Sequence, residues 1–303
     1  MKTILLIGKN GQVGYELQHA LAPLGNVFAL DRRQLNLVDL DSIRRVIRDM
    51  APSIVVNAAG YTAVDMAERE SELARQVNAA APGVIGEEVK RLHAMLLHYS
   101  TDYVYDGVHA APYVEDDEPN PRNSYGQTKL EGERAISASG CAHLILRTSW
   151  IFSERGTNFV LTILRLARER SSIEIVDDQI GSPTLARALT ASSAELVEKA
   201  DQRRNGWGIY HLSASGYASR FEFAKEIIAI AKEISGVKTG WSELRPTTTA
   251  NYPLPALRPL NAATSKEKIR NVFGIEMPCW KVQLRQFIGE LMADANWRYQ
   301  AGF

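Results

Sequence analysis

Tyr125 and Lys129 stand four residues apart in the run Asn123-Ser124-Tyr125-Gly126-Gln127-Thr128-Lys129. On a helix that spacing is one turn, so the phenol and the ammonium share a face. An ammonium beside a phenol stabilises the phenolate, so the tyrosine pKa is expected below its usual value of about 10. Such a tyrosine is an acid–base group for neutral pH. The spacing alone is common in a chain with 11 tyrosines, and its context is what makes it specific. Ser100-Thr101-Asp102 closes an apolar run, and the Thr101 hydroxyl can donate to the same reacting oxygen as Tyr125. Upstream, Gly8-Lys9-Asn10-Gly11-Gln12-Val13-Gly14 has the form G-x-x-G-x-x-G. Glycines there permit a tight turn and close approach of backbone to a pyrophosphate, and the helix that follows offers free N–H groups. An ordinary turn is the plainer alternative, but the place directly after the first apolar run favours dinucleotide binding.

The elements that position these groups follow from the hydrophobic pattern. Short apolar runs at Ile4–Ile7, Val27–Leu30, Ile54–Asn57 and Met95–Ser100 alternate with amphipathic stretches at Val13–Leu24, Ser42–Met50 and Glu70–Arg91, the last with a break expected at Pro82-Gly83. Strands alternating with helices mean βαβ units and a parallel sheet, and runs without polar alternation fit strands covered on both faces. The expected class is α/β: a doubly wound parallel (Rossmann) sheet with a smaller C-terminal α/β substrate domain, its ligand site at the carboxyl ends of the strands. Residues 1–150 are expected to form the dinucleotide-binding domain, with later segments, including a strand near 208–212, returning to the sheet. Residues 151–303 are expected to be mainly substrate-binding. Helices are expected at 158–168, 185–199, 221–234, 265–271 and 280–292. The proline-rich stretch Pro246–Pro259 is read as a loop folding over a pocket, because it carries Tyr252, Leu254 and Arg258 rather than glycine and serine.

Within that frame Asp31 ends the second strand, where a carboxylate can accept from the adenosine ribose. Arg32 and Arg33 follow at once, and an arginine there can hold a 2′-phosphate. Asp31 points to NADH and Arg32 to NADPH, and the choice stays open. Asp39-Leu40-Asp41 either caps the second helix or places Asp39 and Leu40 near the adenine. Composition is that of an ordinary globular chain of 303 residues, with 45% hydrophobic and 23% charged residues and 35 charges of each sign. Zero net charge argues against a nucleic-acid or polybasic membrane binder. Two cysteines exclude a disulfide framework and fit a reducing compartment. No His-x-x-x-His pair writes a zinc helix. No apolar run suits a signal peptide or a membrane span, and a soluble, cytoplasmic protein is expected.

Several strings resemble one family. The G-x-x-G-x-x-G loop, the hydroxyl residue after the fourth strand and Tyr-x-x-x-Lys look like the extended short-chain dehydrogenase/reductases. Val56-Asn57-Ala58-Ala59, Thr62-Ala63-Val64-Asp65, His98-Tyr99-Ser100-Thr101-Asp102-Tyr103-Val104, Arg147-Thr148-Ser149-Trp150 and Arg258-Pro259 resemble, more closely, its dTDP-4-dehydrorhamnose reductase family. The resemblance runs from Met1 to about Met292. It implies hydride transfer from NADPH or NADH to C4 of a 4-keto-6-deoxy nucleotide-diphosphate sugar. It makes Thr101, Tyr125 and Lys129 catalytic, with Lys129 also on the nicotinamide ribose. Gly8, Gly11, Gln12, Val13, Gly14, Ala58, Ala59, Gly60, Tyr61 and Thr62 would line the cofactor, Tyr61 standing where a histidine is expected. Thr101, Asp102 and Trp150 would meet substrate, the indole offering a face to the sugar unless it is a core aromatic. Asn158 is a substrate contact or a cap, and Arg258 a diphosphate ligand or a salt-bridge partner. His93 and His98 are read as packing residues.

Some members of the family bridge two subunits through magnesium. Here Glu16 is present, but Arg187 and Ala191 occupy the later acidic positions, and a guanidinium has the wrong charge for such a site. No metal is expected; if a homodimer forms through this surface, a direct Glu16–Arg187 ion pair across the interface is the expected substitute for the metal bridge. Two alternatives stay open: another nucleotide-sugar epimerase or dehydratase of the extended family, weakened by Tyr103 where a dehydratase places Glu, and a non-catalytic NAD(P)-binding regulatory subunit.

Overall fold

The computed structural model describes residues 1–294 and Trp297; the remainder of the expected 151–303 unit lies outside the described residues. Six strands form one parallel sheet: β1 (Thr3–Ile7), β2 (Asn26–Leu30), β3 (Ile54–Asn57), β4 (Met95–Thr101), β5 (Ala142–Thr148) and β6 (Gly208–His211), in the order β6-β5-β4-β3-β1-β2. The chain winds outward from β1 to β2, then returns to the other side of β1 for β3. The crevice outside the carboxyl ends of β1 and β3 is therefore the topological switch point. β1, β3 and β4 are buried along almost their whole length, which is why their sequences read as unbroken apolar runs.

Helices α1 (Gln12–Ala20), α2 (Leu40–Met50), α3 (Ala81–Arg91) and α4 (Ser124–Ser139) lie in the first half, and α5 (Phe159–Glu169), α6 (Ala186–Arg203), α7 (Arg220–Ser235), α8 (Glu267–Phe273) and α9 (Trp280–Ala293) in the second. Leu17, Leu189 and Leu196 pack on one sheet face with Leu6 and Leu97, and Ile43, Ile85 and Ile136 on the other with Leu5 and Leu96. A separate apolar cluster joins α5, α7 and α9 through Ile163, Phe223 and Phe287. The break expected at Pro82-Gly83 lies slightly earlier, where Gln76–Ala80 forms a π-helical turn and Pro82 opens α3. The proline-rich stretch is only partly a loop: Glu243–Thr247 pairs in parallel with Ser172–Val176.

β6 is joined to β5 by more than its ladder. The buried Glu133–Arg147 ion pair is 2.6 Å long. Arg147 Nη1 donates to the Tyr105 hydroxyl at 2.6 Å, and that oxygen lies 2.8 Å from His211 Nε2. The His211 amide donates to the Glu115 carboxylate at 2.8 Å. Burial holds the His211 imidazole neutral, pushed down to about 3 with Arg147 beside it.

Candidate active site

The glycine loop closes against the chain leaving β3. Gly8 has φ +95°, and a Cβ there would stand 2.8 Å from the Ala59 amide nitrogen; a Cβ on Gly14 would stand 2.0 Å from the Gly8 carbonyl oxygen. Neither position accepts a larger residue without moving backbone. No side chain caps α1 at Gly11 and no acid lies in its first turn, so the N–H groups at Gln12 and Val13 suit an anion. Across the crevice Ala58–Thr62 is held rigidly. The Ala59 amide donates to Asn57 Oδ1 at 3.1 Å. The Tyr61 amide donates to Asn78 Oδ1 at 2.8 Å, while Asn78 Nδ2 donates to the Tyr61 carbonyl at 3.0 Å and to Thr128 Oγ1 at 3.2 Å. Asn78 sits in the π-helical turn and was not singled out by sequence. The Tyr61 hydroxyl donates to Glu70 Oε2 at 2.6 Å. These tight glycines, open donors and pinned strand ends fit a dinucleotide.

Asp31 accepts from the Arg33 and Gln34 amides at 3.0 and 3.2 Å, and Lys9 Nζ lies 3.6 Å from its other oxygen. Burial works against its charge, but those amides and Lys9 hold the carboxyl below its usual range. Arg32 and Arg33 are exposed beside it. Of the two readings of Asp39, the structure shows the cap: its Oδ1 accepts from the Ser42 amide at 2.9 Å, and Leu40 opens α2.

Thr101 ends β4 and Tyr125 lies in the first turn of α4. Asn123 caps that helix, accepting from the Gly126 amide at 2.8 Å, and its Nδ2 donates to the Leu257 carbonyl at 2.6 Å. A Cβ on Gly126 would stand 2.2 Å from the Tyr103 carbonyl oxygen, so α4 rests directly on the Asp102–Val104 turn. The rings of Tyr103 and Tyr125 meet edge to face at 5.8 Å. One expectation fails here. Burial pushes the Tyr125 phenol up, Asp102 and Tyr103 add to the rise, and only the hydrogen bond with Thr101 opposes it. Lys129 Nζ turns to the Tyr99 carbonyl at 2.5 Å and to His98 Nε2 at 3.1 Å, and burial pushes the ammonium down to about 8. The tyrosine is thus a protonated phenol at neutral pH. His98 does pack, as expected, but it also spans Lys129 and Asn57 Nδ2, the latter at 3.2 Å; burial and the nearby Lys129 keep it neutral.

Asp102 is buried, accepting from Ser149 Oγ at 2.6 Å and Thr101 Oγ1 at 3.1 Å. Burial pushes its carboxyl up to about 6 against those two bonds. Trp150 has φ +41°, and its indole is so close to Gly181 that a Cβ there would stand 2.4 Å from the ring. The Arg220 guanidinium covers the ring at 3.5 Å, so that face carries an arginine where a sugar was expected. Asn158 caps α5, accepting from the Leu161 amide at 3.2 Å, and donates to Gln12 Oε1 at 3.3 Å. Arg258 forms a two-pronged pair with Asp65, each prong 2.6 Å, which is the salt-bridge alternative. The Glu16–Arg187 pair, expected between two copies, forms inside one chain at 3.6 Å, with Glu154 at 3.7 Å and Glu290 at 2.9 Å from the same guanidinium.

A glycine loop at the switch point, with a threonine, tyrosine and lysine at the end of β4 and the start of α4, has the architecture of the extended short-chain dehydrogenase/reductases. A solved structure of UDP-glucose 4-epimerase from Thermus thermophilus shares the fold, with a TM-score of 0.77 at 16% identity. The chain belongs to the dTDP-4-dehydrorhamnose reductase family: the family model described as the RmlD substrate binding domain matches residues 1–293. It is 41% identical to the dTDP-4-dehydrorhamnose reductase of Burkholderia thailandensis, over 96% of this chain and 99% of that one. It is 39% identical to that of Escherichia coli, over 95% and 97%. A crystal structure of the Bacillus anthracis reductase in complex with NADP superposes with a TM-score of 0.87 at 33% identity, covering 95% and 99% of the two chains.

Proposed function

We propose that this protein reduces the C4 keto group of dTDP-4-dehydrorhamnose to give dTDP-L-rhamnose, with NADPH or NADH as reductant. The observation that carries the reading is the placement of Thr101 at the end of β4 and of Tyr125 and Lys129 one turn apart at the start of α4, on the Asp102–Val104 turn, in a chain that matches reductases of that name along its length. Bound NAD(P)H supplies the hydride. The glycine loop from Gly8 to Gly14, the Ala58–Thr62 segment and Lys129 hold the dinucleotide, with Asp31 and Arg32 at its adenosine end. Tyr125, kept protonated by burial, gives its proton to the C4 oxygen, and Thr101 donates a hydrogen bond to the same atom. Preorganised donors there stabilise charge as it develops. Asp102 accepts from a sugar hydroxyl, and residues from 151 onward supply most of the sugar side. The proposed setting is the cytoplasm, where reduced nicotinamide and nucleotide sugars are found; among the described residues no helix is long and apolar enough to cross a membrane.

The test is direct. The protein is incubated with dTDP-4-keto-6-deoxyglucose and NADPH, with and without a 3,5-epimerase, and absorbance at the reduced nicotinamide band is followed. Oxidation that depends on the epimerase supports the reading. No oxidation in either arm, with NADPH binding intact, removes it.

A further inference from the structure

Arg220 opens α7 behind the cap Ser219, which completes a capping box with Glu222. The side chain leaves the helix, lays its guanidinium on Trp150 at 3.5 Å and passes Phe159 at 5.1 Å. Among the described residues no carboxylate lies within salt-bridge distance of it; its polar neighbour is the Tyr103 phenol, with Asp102 and a second guanidinium, Arg258, in its field. Arg258 also faces Tyr103, but its charge is already met by Asp65. A third basic side chain, Lys266, reaches Ser182 Oγ at 3.1 Å; burial pushes its ammonium down to about 7 against the pull of Asp102. Two guanidiniums and an amine thus stand around Asp102 and Tyr103, and of the two guanidiniums only Arg258 has a carboxylate partner of its own, Asp65. Like charges gathered in a partly buried cleft repel unless an anion joins them.

We infer that Arg220, stacked on Trp150 beside Tyr103, is a binding residue for the diphosphate of the nucleotide sugar, and that Trp150 acts as its positioning residue. The planar guanidinium suits both tasks, because it stacks on an aromatic face while its edge N–H groups fork toward phosphate oxygens. The left-handed backbone at Trp150 and the bare Gly181 under its ring hold the platform in place. This inference rests on the nucleotide-sugar reading above.

Titration calorimetry on the full chain with dTDP and with thymidine separates the two claims. For Arg220→Gln, dTDP affinity is expected to fall at least tenfold, while thymidine and NADPH bind as in wild type. In turnover, KM for the sugar nucleotide rises more than kcat falls. Equal dTDP affinity in wild type and Arg220→Gln overturns the inference, as does a wild-type chain that binds dTDP no better than thymidine. Should the glutamine variant lose NADPH binding and hence its fold, Arg220→Lys decides. It keeps the charge but not the planar fork, so dTDP affinity is expected to fall threefold or more, and an unchanged value overturns the inference. A wild-type chain that binds dTDP through Arg220 yet turns over no keto sugar removes the reductase reading and leaves the diphosphate site standing.

Discussion

At the scale of single residues, the chemistry turns on which protons are held and where. Tyr125 is raised by burial, so the acid form dominates at neutral pH, the form a carbonyl reduction consumes. Tyr125→Phe keeps the ring against Tyr103 and removes only the hydroxyl; turnover is expected to fall about 10²–10⁴-fold with NADPH binding retained. A variant with more than half the wild-type rate would remove Tyr125 from the reaction. Asp102 gives a pH signature. With its carboxyl pushed up to about 6, the acceptor form is lost as pH falls through that value. The pH profile of kcat/KM, which reports the free enzyme, is expected to drop on the acid side near pH 6, and Asp102→Asn to lose that inflection. Stability runs the other way. The folded state binds this proton more tightly than the unfolded chain does, so the contribution of Asp102 is present below about pH 4 and lost as pH rises through about 6. Denaturant unfolding should therefore show Asp102→Asn gaining stability over wild type as pH climbs across that window; a constant difference would mean the buried carboxyl titrates normally.

At the scale of elements, what could be read in advance depended on whether the cause was local. The buried strands were legible because a strand covered on both faces must be apolar throughout, and Ile54–Val56 and Met95–Leu97 are. That Tyr125 and Lys129 share one helix was legible because the spacing is local; that the ammonium turns to Tyr99 and His98 was not, because those partners come from β4. The π-helical turn at Gln76–Ala80 was not, since nothing in its composition differs from an α-turn, and π-turns gather at functional sites. Asn78 was hidden with it, because its partners Tyr61 and Thr128 come from distant segments. Removing that side chain leaves the Tyr61 amide and carbonyl without partners, at about 1–3 kcal/mol for buried groups. Asn78→Ala is expected to lower stability by roughly 1 kcal/mol and to raise the Kd for NADPH several-fold; urea unfolding and fluorescence titration check both, and an unchanged Kd would detach this clamp from the cofactor crevice. Glu243–Thr247 escaped notice because Pro246 disguises an edge strand, one of the few places in a sheet where proline is tolerated. Arg220 escaped because no local pattern says that a side chain will cross to an indole seventy positions earlier.

At the scale of the whole molecule, Arg187 ties together three parts of the chain: Glu16 on α1, Glu154 after β5 and Glu290 on α9. A fixed cation already sits among these carboxylates, so EDTA is expected to leave turnover and the sedimentation coefficient unchanged. Arg187→Glu gathers four carboxylates instead, and its Tm is expected to fall by a few degrees and recover in millimolar magnesium. Loss of activity or of a dimer in EDTA with the native chain would show a metal held elsewhere on this surface. The edge strand β6 bears on how such proteins can be recombined. It arrives some sixty residues after β5, and its His211 completes the polar chain that runs from Glu133 through Arg147 and Tyr105. A chimera spliced at residue 150 would graft a foreign β6 onto this chain's β5 and pair Arg147 and Tyr105 with whatever side chain the donor brings. Exchanges of the second half therefore need to carry residues 207–212 with the first half, as a transplanted strand rather than as part of the insert.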